Sequence, residues 1–315
     1  MSDRQEFLVR FWGARGSYPT PGPNTVRHGG NTACVEIRVA GLTLIFDAGS
    51  GIIQLGNALL QRVNGATGKL PITLFITHGH GDHLLGFPFF APLFDERTHL
   101  HLFGPQLAGQ DVEQLVTLLM SPPYFPVDLR RLPSHRKFHT VTDDQCISWR
   151  KGASMPGLHA KKRLAHENQT YLGEGVEVYA KFTKTHPLNG AVIYRIEHAG
   201  RSVVYATDVE WKEGCDPDFL SFVEGADLLI HDAQYTSHDY EHAKQGFGHS
   251  TVAMAVEAAR AAHVRELLLF HHEPTYNDDQ LDAMEAEAQS QFPRARSAYE
   301  GLEIDILAGL KDGAK

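Results

Sequence analysis

The chain has 315 residues, of which 42% are hydrophobic and 21% are charged, as in an ordinary globular protein with a sizeable core. Its formal net charge of −9 argues against general electrostatic binding of long nucleic acid, which needs clustered Lys and Arg side chains. The 3 cysteines lie far apart and form no CxxC pair, so neither a disulfide framework nor a cysteine zinc site is indicated. This cysteine pattern favours a reducing compartment.

The amino-terminal residues 1–10 carry charges of both signs and no long apolar stretch. They therefore predict neither a signal peptide nor a membrane span, and the cytoplasm is the expected location. The middle of the chain is basic against this acidic background, through Arg130, Arg131, Arg136, Lys137, Lys161, Lys162 and Arg163. We interpret these residues as the solvated surface of an insertion, ahead of a dedicated site for polyphosphate or RNA.

Apolar runs separated by turn residues predict alternating strands and helices. In the first half, strands are predicted near residues 7–12, 33–39, 42–46, 70–76 and 100–103, and helices near 52–63 and 106–120. Irregular composition over residues 122–175 then predicts an insertion of loops and short strands. In the second half, strands are predicted near residues 176–185, 191–197, 202–206, 228–230 and 267–270, and helices near 216–223 and 251–263.

Polar residues suited to metal binding or proton transfer follow six of these predicted strands. They are Asp47, His78, His186, Asp208, the pair His231 and Asp232, and the pair His271 and His272. Loops beyond strand ends are where sites assemble on a rigid framework in layered α/β proteins, so these six ends predict one shared site. Because the site draws on distant segments, we predict a single domain over residues 1–315.

The run from Thr77 to His83 is the richest in potential ligands, with four metal-capable side chains directly after an apolar strand. Imidazole and carboxylate groups suit zinc and similar ions, and extended backbone points His78 and His80 to the same side. Gly79 and Gly81 lack a Cβ, so the backbone can turn between the ligands. The sequence therefore predicts a metal site here.

The same run resembles the HxHxDH signature of the metallo-β-lactamase superfamily. The segments 11–16, 31–35, 46–51 and 86–90 resemble its phosphodiesterase-like branch, which includes ribonuclease Z and class II cyclic-nucleotide phosphodiesterases. The likeness covers most of the chain, from residue 7 to residue 275. It implies an α/β fold, namely a four-layer αββα sandwich with a dinuclear metal centre.

The resemblance also implies the ligands of two divalent ions. His78, His80 and His186 would bind the first ion, Asp82, His83 and a histidine of the last motif would bind the second, and Asp208 would bridge them. A carboxylate bridge suits two dications about 3.5–4 Å apart, because it offsets their repulsion. The ligand types favour zinc, with manganese or iron as alternatives.

The last ligand is ambiguous because Phe270 is followed by two histidines. Side chains alternate on extended backbone, so only one of the two rings can point to the metals. The resemblance favours His271 over His272, because alignment of the strand ends places His271 at the family's ligand position. Asp47 is expected to accept the free N–H of a ligating histidine and to fix its tautomer, with capping of the turn at residues 48–51 as the alternative role.

The implied chemistry is hydrolysis by hydroxide from a metal-bound water, whose pKa is lowered towards roughly 7. Asp82, His231, Asp232 and His249 form the predicted catalytic set. The pair His231 and Asp232 resembles the His-Glu pair of ribonuclease Z, and residues 248–251 resemble its His-Ser-Thr motif. The likeness implies a proton relay with His249 as donor or phosphate contact, although Asp232 has a shorter reach than Glu. Helix capping by Ser250 is the alternative role for this segment.

Three substrate classes stay open for this site. The leading interpretation is hydrolysis of a phosphodiester in a small nucleotide or cyclic nucleotide, because net acidity favours a compact substrate over long nucleic acid. The first alternative is a ribonuclease Z-like endonuclease for tRNA 3′ ends, for which the insertion at 122–175 would have to supply a basic arm. The second is hydrolysis of a lactone, thioester or β-lactam. No membrane partner is expected, and a homodimer is left open.

Overall fold

The computed structural model describes residues 6–65, 67–143, 145–160, 175–188 and 190–308, with the backbone only at 159 and 160. The basic residues Lys161, Lys162 and Arg163 lie outside the described residues. No helix in these ranges is long and apolar enough to cross a membrane.

Two β-sheets form the centre of the described structure. The first contains seven strands in the order β15-β1-β2-β3-β4-β5-β6. Their bounds are β1 Phe7–Gly13, β2 Cys34–Val39, β3 Leu42–Phe46, β4 Leu70–Phe75, β5 Thr98–Gly104, β6 His135–Thr140 and β15 Glu303–Asp305. Strands β3 to β6 run parallel, whereas β15, β1, β2 and β3 pair antiparallel.

The second sheet contains eight described strands in the order β14-β13-β12-β11-β10-β9-β7-β8. Their bounds are β7 Gln145–Trp149, β8 Gly157–Ala160, β9 Val176–Thr183, β10 Ala191–His198, β11 Arg201–Ala206, β12 Leu228–Asp232, β13 Leu267–Phe270 and β14 Ala295–Ser297. Strands β11 to β14 are parallel, and the others pair antiparallel.

Helices cover the outer face of each sheet. They are α1 Gly51–Arg62, α2 Val112–Leu119, α3 Pro217–Val223, α4 Ser237–Asp239, α5 Val252–Ala261 and α6 Asp278–Gln291, with a π-helical turn at Tyr240–Lys244. Short 3-10 turns lie at Gly81–His83, Phe87–Phe89, Ala91–Phe94 and Leu129–Arg131. Residues of α1 and α2 pack on the first sheet, and residues of α3, α5 and α6 pack on the second.

The space between the sheets is filled by aromatic and branched side chains from both. Phe46 and Phe75 stack with ring centroids 5.0 Å apart, and Tyr194 of the opposite sheet lies 5.1 Å from Phe75. Full burial of each such side chain contributes about 1.5–3 kcal/mol. With helices outside both sheets, the predicted four-layer αββα order is confirmed.

Several element bounds differ from the predicted ones. The predicted helix at 106–120 begins only at Val112, because residues 107–110 form a turn and Asp111 caps the helix through a capping box with Gln114. Of the stretch 122–175, the described part supplies β6 to the edge of the first sheet and β7 and β8 to the edge of the second. The carboxy-terminal elements α6, β14 and β15 were not predicted.

The sheet topology decides where the site forms. The parallel strands β3 and β4 end at Phe46 and Phe75, and the parallel strands β11, β12 and β13 end at Ala206, Asp232 and Phe270. Carboxyl ends of neighbouring parallel strands meet at one edge of a sheet, so the polar residues that follow them converge. Both sheets contribute such an edge to the same end of the sandwich, as the contacts below demonstrate.

Candidate metal centre

Three residues at this end of the sandwich have a left-handed backbone within two residues of the ends of their strands. The φ angles are +62° at Asp47, +59° at Asp208 and +61° at His271. Such a conformation costs a non-glycine residue about 1–3 kcal/mol and persists only where the surroundings enforce it. All three side chains are fully or almost fully buried. The turns aim these side chains back into the space between the strand ends.

One group of potential ligands consists of His78, His80, His186 and Asp208, whose ligand atoms lie within 4.8 Å of one another. His186 Nε2 is 3.0 Å from His80 Nδ1. Asp208 Oδ2 lies 3.3 Å from His78 Nε2 and 3.6 Å from His186 Nε2. His80 is half-buried and the other three are buried, so this group borders the mouth of the site.

A second group consists of Asp82, His83 and His271, also within 4.8 Å of one another. The Nε2 atoms of His83 and His271 are 3.1 Å apart, and His271 Nε2 is 3.0 Å from Asp82 Oδ2. Asp208 Oδ1 lies 3.2 Å from His83 Nε2 and 3.3 Å from His271 Nε2. Asp208 thus directs one carboxylate oxygen at each group.

Hydrogen bonds on the far side of the rings fix which nitrogen faces inward. His83 Nδ1 donates to Asp47 Oδ2 at 2.8 Å, and His271 Nδ1 donates to Gln234 Oε1 at 3.1 Å. A neutral imidazole has one N–H, so both inward Nε2 atoms carry lone pairs. His78 Nε2 is buried and has no hydrogen-bond partner among the residues that the structure describes. Lone pairs this close repel unless a cation lies between them, and divalent ions suit this donor set.

The pKa values of these groups reflect the same demand for positive charge. Burial lowers the pKa of His271, but the carboxylates of Asp208 and Asp82 outweigh it and raise the pKa to about 9. The pKa of His83 is likewise raised, against burial, by Asp208 and Asp82. At His78, burial dominates and lowers the pKa well below 6.5. Protons and metal ions therefore compete for the second group.

Asp47 has the supporting role that its position predicts. Besides the bond from His83, its carboxylate accepts the backbone N–H of Thr77 at 2.8 Å and the hydroxyl of Tyr205 at 3.0 Å. These donors come from both sheets, because Tyr205 belongs to β11. The carboxylate therefore holds the ring of His83 in one orientation at the junction of the two sheets.

The side chains of the two histidines after Phe270 lie on opposite sides of the backbone. His271 lies in the second group, whereas His272 Nε2 donates to Ala298 O at 2.9 Å on the other side of the backbone. Burial and then Arg15 lower the pKa of His272 to about 3. The structure thus brings His271, and not His272, to the site.

The predicted relay residues are not all brought together. His249 Nδ1 donates to Asp232 Oδ2 at 2.7 Å, so the aspartate reaches its partner despite its short side chain. The ring of His249 stacks 4.8 Å from that of His271 and lies 5.1 Å from that of His186. It therefore borders both ligand groups.

His231 requires a correction, because it faces away from this site. Its Nε2 accepts the Trp211 indole N–H at 3.0 Å, and its ring packs against Phe219 of the outer helix layer. Adjacent residues on β12 point to opposite sides, so His231 and Asp232 cannot both reach the metals. His231 is fully buried and its geometry gives no support for proton transfer at the site.

Two supporting residues were not identified from the sequence. Gln234, which bonds His271, also donates from Nε2 to Ser17 Oγ at 3.1 Å and to Glu273 Oε2 at 3.0 Å. The backbone N–H of Ser17 in turn donates to Asp82 Oδ2 at 2.7 Å. A Cβ on Gly16 would lie 2.4 Å from His271 Nδ1, so only glycine allows this loop to pack there. Gln234 and Ser17 together support two ligands of the second group.

The chain is similar to known proteins along most of its length. Residues 43–272 match the Beta-lactamase superfamily domain. Ribonuclease Z of Thermococcus gammatolerans is 31% identical over 293 residues, which cover 86% of this chain and 86% of that protein.

Two solved structures have the same fold. The metallo-β-lactamase fold protein YhfI of Bacillus subtilis has a TM-score of 0.64 at 19% identity and covers 95% of this chain and 99% of its own. The short form of human tRNase Z has a TM-score of 0.58 at 22% identity, with coverages of 95% and 99%. The chain is therefore a metal-dependent hydrolase that belongs to the β-lactamase superfamily and is related to ribonuclease Z.

Proposed function

We propose that this protein cleaves phosphodiester bonds in RNA, in the manner implied by the name of its ribonuclease Z relatives. His78, His80 and His186 would hold one divalent ion, Asp82, His83 and His271 a second, and Asp208 would lie between them. One observation supports the proposal above all others. Two groups of inward lone pairs share the single carboxylate of Asp208. Such a pair of ions, when bound, activates water at neutral pH and offsets the negative charge that builds up on a phosphate.

The chain's own residues supply binding and proton transfer. His249 has one nitrogen fixed by Asp232, so its other nitrogen is left to contact a phosphate oxygen or to protonate the departing oxygen. Asp232 is held in place by the backbone N–H groups of Gln234 at 3.1 Å and Ser250 at 3.2 Å. A carboxylate fixed in this way holds the ring of His249 in one orientation, as a general acid needs. His231 has no part in this step.

RNA is favoured over a cyclic nucleotide by the relatives, and this choice reverses the leading interpretation of the sequence. The Thermococcus protein matches almost the whole chain and bears the name ribonuclease Z. The name ribonuclease Z conflicts with the expectation, drawn from the net charge, that long nucleic acid is not the substrate. The net charge of −9 favours recognition through local contacts at the site over recognition through an extended basic face. A small nucleotide remains the competing substrate.

Zinc is the proposed ion, because histidine nitrogens with few carboxylates are a typical zinc donor set. Manganese and iron accept the same donors, and elemental analysis of the purified protein decides between them. The cytoplasmic location, the single domain over residues 1–315 and the homodimer stay predictions.

The function is tested by turnover of four substrates by the metal-loaded protein. The substrates are a tRNA precursor with a 3′ extension, a cyclic nucleotide, bis(p-nitrophenyl) phosphate and a panel of nitrocefin and lactones. We expect cleavage of the precursor with the highest kcat/KM, and loss of that activity in His78→Gln. The variant His135→Gln, at an exposed position of β6 that belongs to neither ligand group, is the matched control and should behave as the wild type.

Two results would contradict the proposal. Faster turnover of the cyclic nucleotide than of the tRNA precursor would restore the small-nucleotide interpretation. Cleavage of lactone or nitrocefin without any phosphodiester turnover would move the protein to the third substrate class.

A further inference from the structure

The buried carboxylate of Glu210 fixes the segment from Tyr240 to Gly248, which we call the 240–248 loop. Glu210 Oε1 accepts the hydroxyl of Tyr240 at 2.8 Å and the backbone N–H of Gly246 at 2.7 Å, and its Oε2 accepts the N–H of Gly248 at 3.0 Å. The loop begins with a π-helical turn, a feature that often marks functional sites. Its shape is thus set by the fold.

The end of the loop lies directly on a candidate metal ligand. The carbonyl of Gly248 accepts the Nδ1–H of His186 at 3.0 Å. A Cβ at Gly248 would lie 2.4 Å from His186 Nδ1 and 2.1 Å from Pro187 Cδ, and its φ is +91°. Only glycine permits this approach, so whatever the loop presents is held beside the metal centre.

The loop presents an aromatic side chain that stays exposed. Phe247 is 55% exposed although Gly248 and His249, the next two residues, are buried. On the adjoining loop Leu188 is 87% exposed, two residues after His186. An exposed aromatic ring bordered by a buried polar site is a typical contact for a ligand with a flat apolar face.

A lysine completes this surface. Lys244 Nζ lies 5.4 Å from the ring centroid of Tyr235 and 5.6 Å from that of Phe247. Within the described ranges it has no carboxylate partner at ion-pair distance, although the chain carries a net charge of −9. The ring of Tyr235 lies 5.9 Å from that of His249. An aromatic and cationic strip therefore leads from the metal centre outward.

We propose that Phe247 and Lys244 bind the nucleotide adjacent to the cleaved bond, with Phe247 stacking on its base and Lys244 contacting a phosphate oxygen. Stacking requires the face of the base, which a double helix hides, so the substrate is unpaired RNA at the cleavage position. Stacking also tolerates any base, so no sequence preference is expected here. This inference rests on the proposed function and specifies its substrate.

The stacking half is tested with short oligoribonucleotides that differ only in one abasic residue, placed on either side of the cleaved bond. For the wild type we expect kcat/KM to fall about 5- to 100-fold when the stacked base is removed. Phe247→Ala should bring this ratio to about one, and Phe247→Trp should restore it. Phe94→Ala, which removes an exposed phenylalanine elsewhere, is the matched control and should keep the wild-type ratio.

The cationic half is tested by salt dependence. Lys244→Ala should lower the slope of log Kd against log salt concentration by about one for the base-containing oligoribonucleotide, because one phosphate contact is lost. Lys244→Arg should retain the slope, and Lys69→Ala, at an exposed lysine before β4, should match the wild type. A purely structural role for Lys244 would leave the slope unchanged.

The possible negative results contradict different proposals. An unchanged base-to-abasic ratio in Phe247→Ala, or a wild type that ignores the missing base, overturns the inference while the proposed function stands. A metal-loaded wild type that cleaves none of the oligoribonucleotides and no tRNA precursor overturns the proposed function and this inference with it.

Discussion

Two histidine-rich regions of the described structure differ in whether carboxylates face the imidazole rings. In the metal centre, His83 and His271 face the carboxylates of Asp82 and Asp208. On β5 and β6, a second group, the β5–β6 histidine cluster, consists of His99, His101, His135 and His139. The rings of His101 and His139 stack with centroids 5.1 Å apart, but no carboxylate among the described residues lies at ion-pair distance from any of the four.

The difference appears in the pKa values. In the β5–β6 histidine cluster burial, and then the neighbouring His139, lower the pKa of His101 to about 4. In the metal centre Asp208 and Asp82 overcome burial and raise the pKa of His271 to about 9. Carboxylates that face inward lone pairs, and not the number of histidines, therefore distinguish a site that attracts cations from one that does not.

Removal of the Asp208 carboxylate should abolish the attraction of the metal centre for cations. We expect Asp208→Ala to lose ions from both ligand groups and to lower kcat/KM on bis(p-nitrophenyl) phosphate by at least about 10⁴-fold, because both ions lose a common anion. Metal content by elemental analysis and initial rates give the two readouts. Retention of a full metal complement in this variant would contradict the assignment of Asp208 as the bridge.

Substitution of His249 should affect proton transfer without emptying the metal centre. We expect His249→Asn to keep its metal content and to lower kcat on RNA about 100- to 1000-fold, because the departing alkoxide loses its proton donor. Bis(p-nitrophenyl) phosphate has a leaving group that needs no proton, so its kcat should fall far less. Equal losses on both substrates would assign His249 to phosphate binding instead.

Gln234 provides a milder perturbation of the second ligand group. We expect Gln234→Ala to weaken the affinity for the second ion about 10- to 100-fold, because His271 loses the acceptor that fixes its tautomer and Ser17 loses a donor. Titration of the metal-free protein with zinc measures the two binding steps separately. Weakening of both steps by the same factor would contradict a role confined to one group.

The β5–β6 histidine cluster should affect acid stability and not metal binding. The folded-state pKa of His101, about 4, is below the unfolded value near 6.5, so its stabilising effect is present above pH 6.5 and is lost as pH falls towards 4. We expect His101→Gln to reduce this acid-induced loss by about 1–3 kcal/mol, with unchanged metal content. Urea unfolding at pH 7 and pH 4.5 measures the difference, and equal losses in both proteins would refute it.

Much of the site follows from local sequence, because its side chains come directly after apolar strands. The positions of Asp47, His78, Asp208 and His271 follow this pattern. The alternation of side chains allowed only one of the two last histidines to face the metals, and alignment with the family's ligand position favoured His271. The same alternation applied to β12 separates His231 from Asp232, so the signal that corrects the relay was present in the sequence. The likeness of His231 and Asp232 to the His-Glu pair of ribonuclease Z had instead favoured a role for both residues.

Other features depend on contacts that no local pattern encodes. Gln234 and Ser17 bond each other across 217 residues of sequence, and they support ligands that are 37 and 65 residues away from them. An isolated glutamine or serine carries no mark of that role. The helix α6 has the weak amphipathic pattern expected of a largely exposed helix, although Asn277 caps it in a recognisable way. Tertiary packing, rather than propensity, decided these elements.

The turn after β11 has a consequence for cooperativity. Asp208, which faces the candidate ions, and Glu210, which holds the 240–248 loop, are separated only by the buried Val209. Any rearrangement of this short turn moves the carboxylates of both Asp208 and Glu210. Coupling across this turn would be reciprocal: a ligand that fixed the loop would change the affinity for cations by the same free energy with which bound cations change the affinity for that ligand.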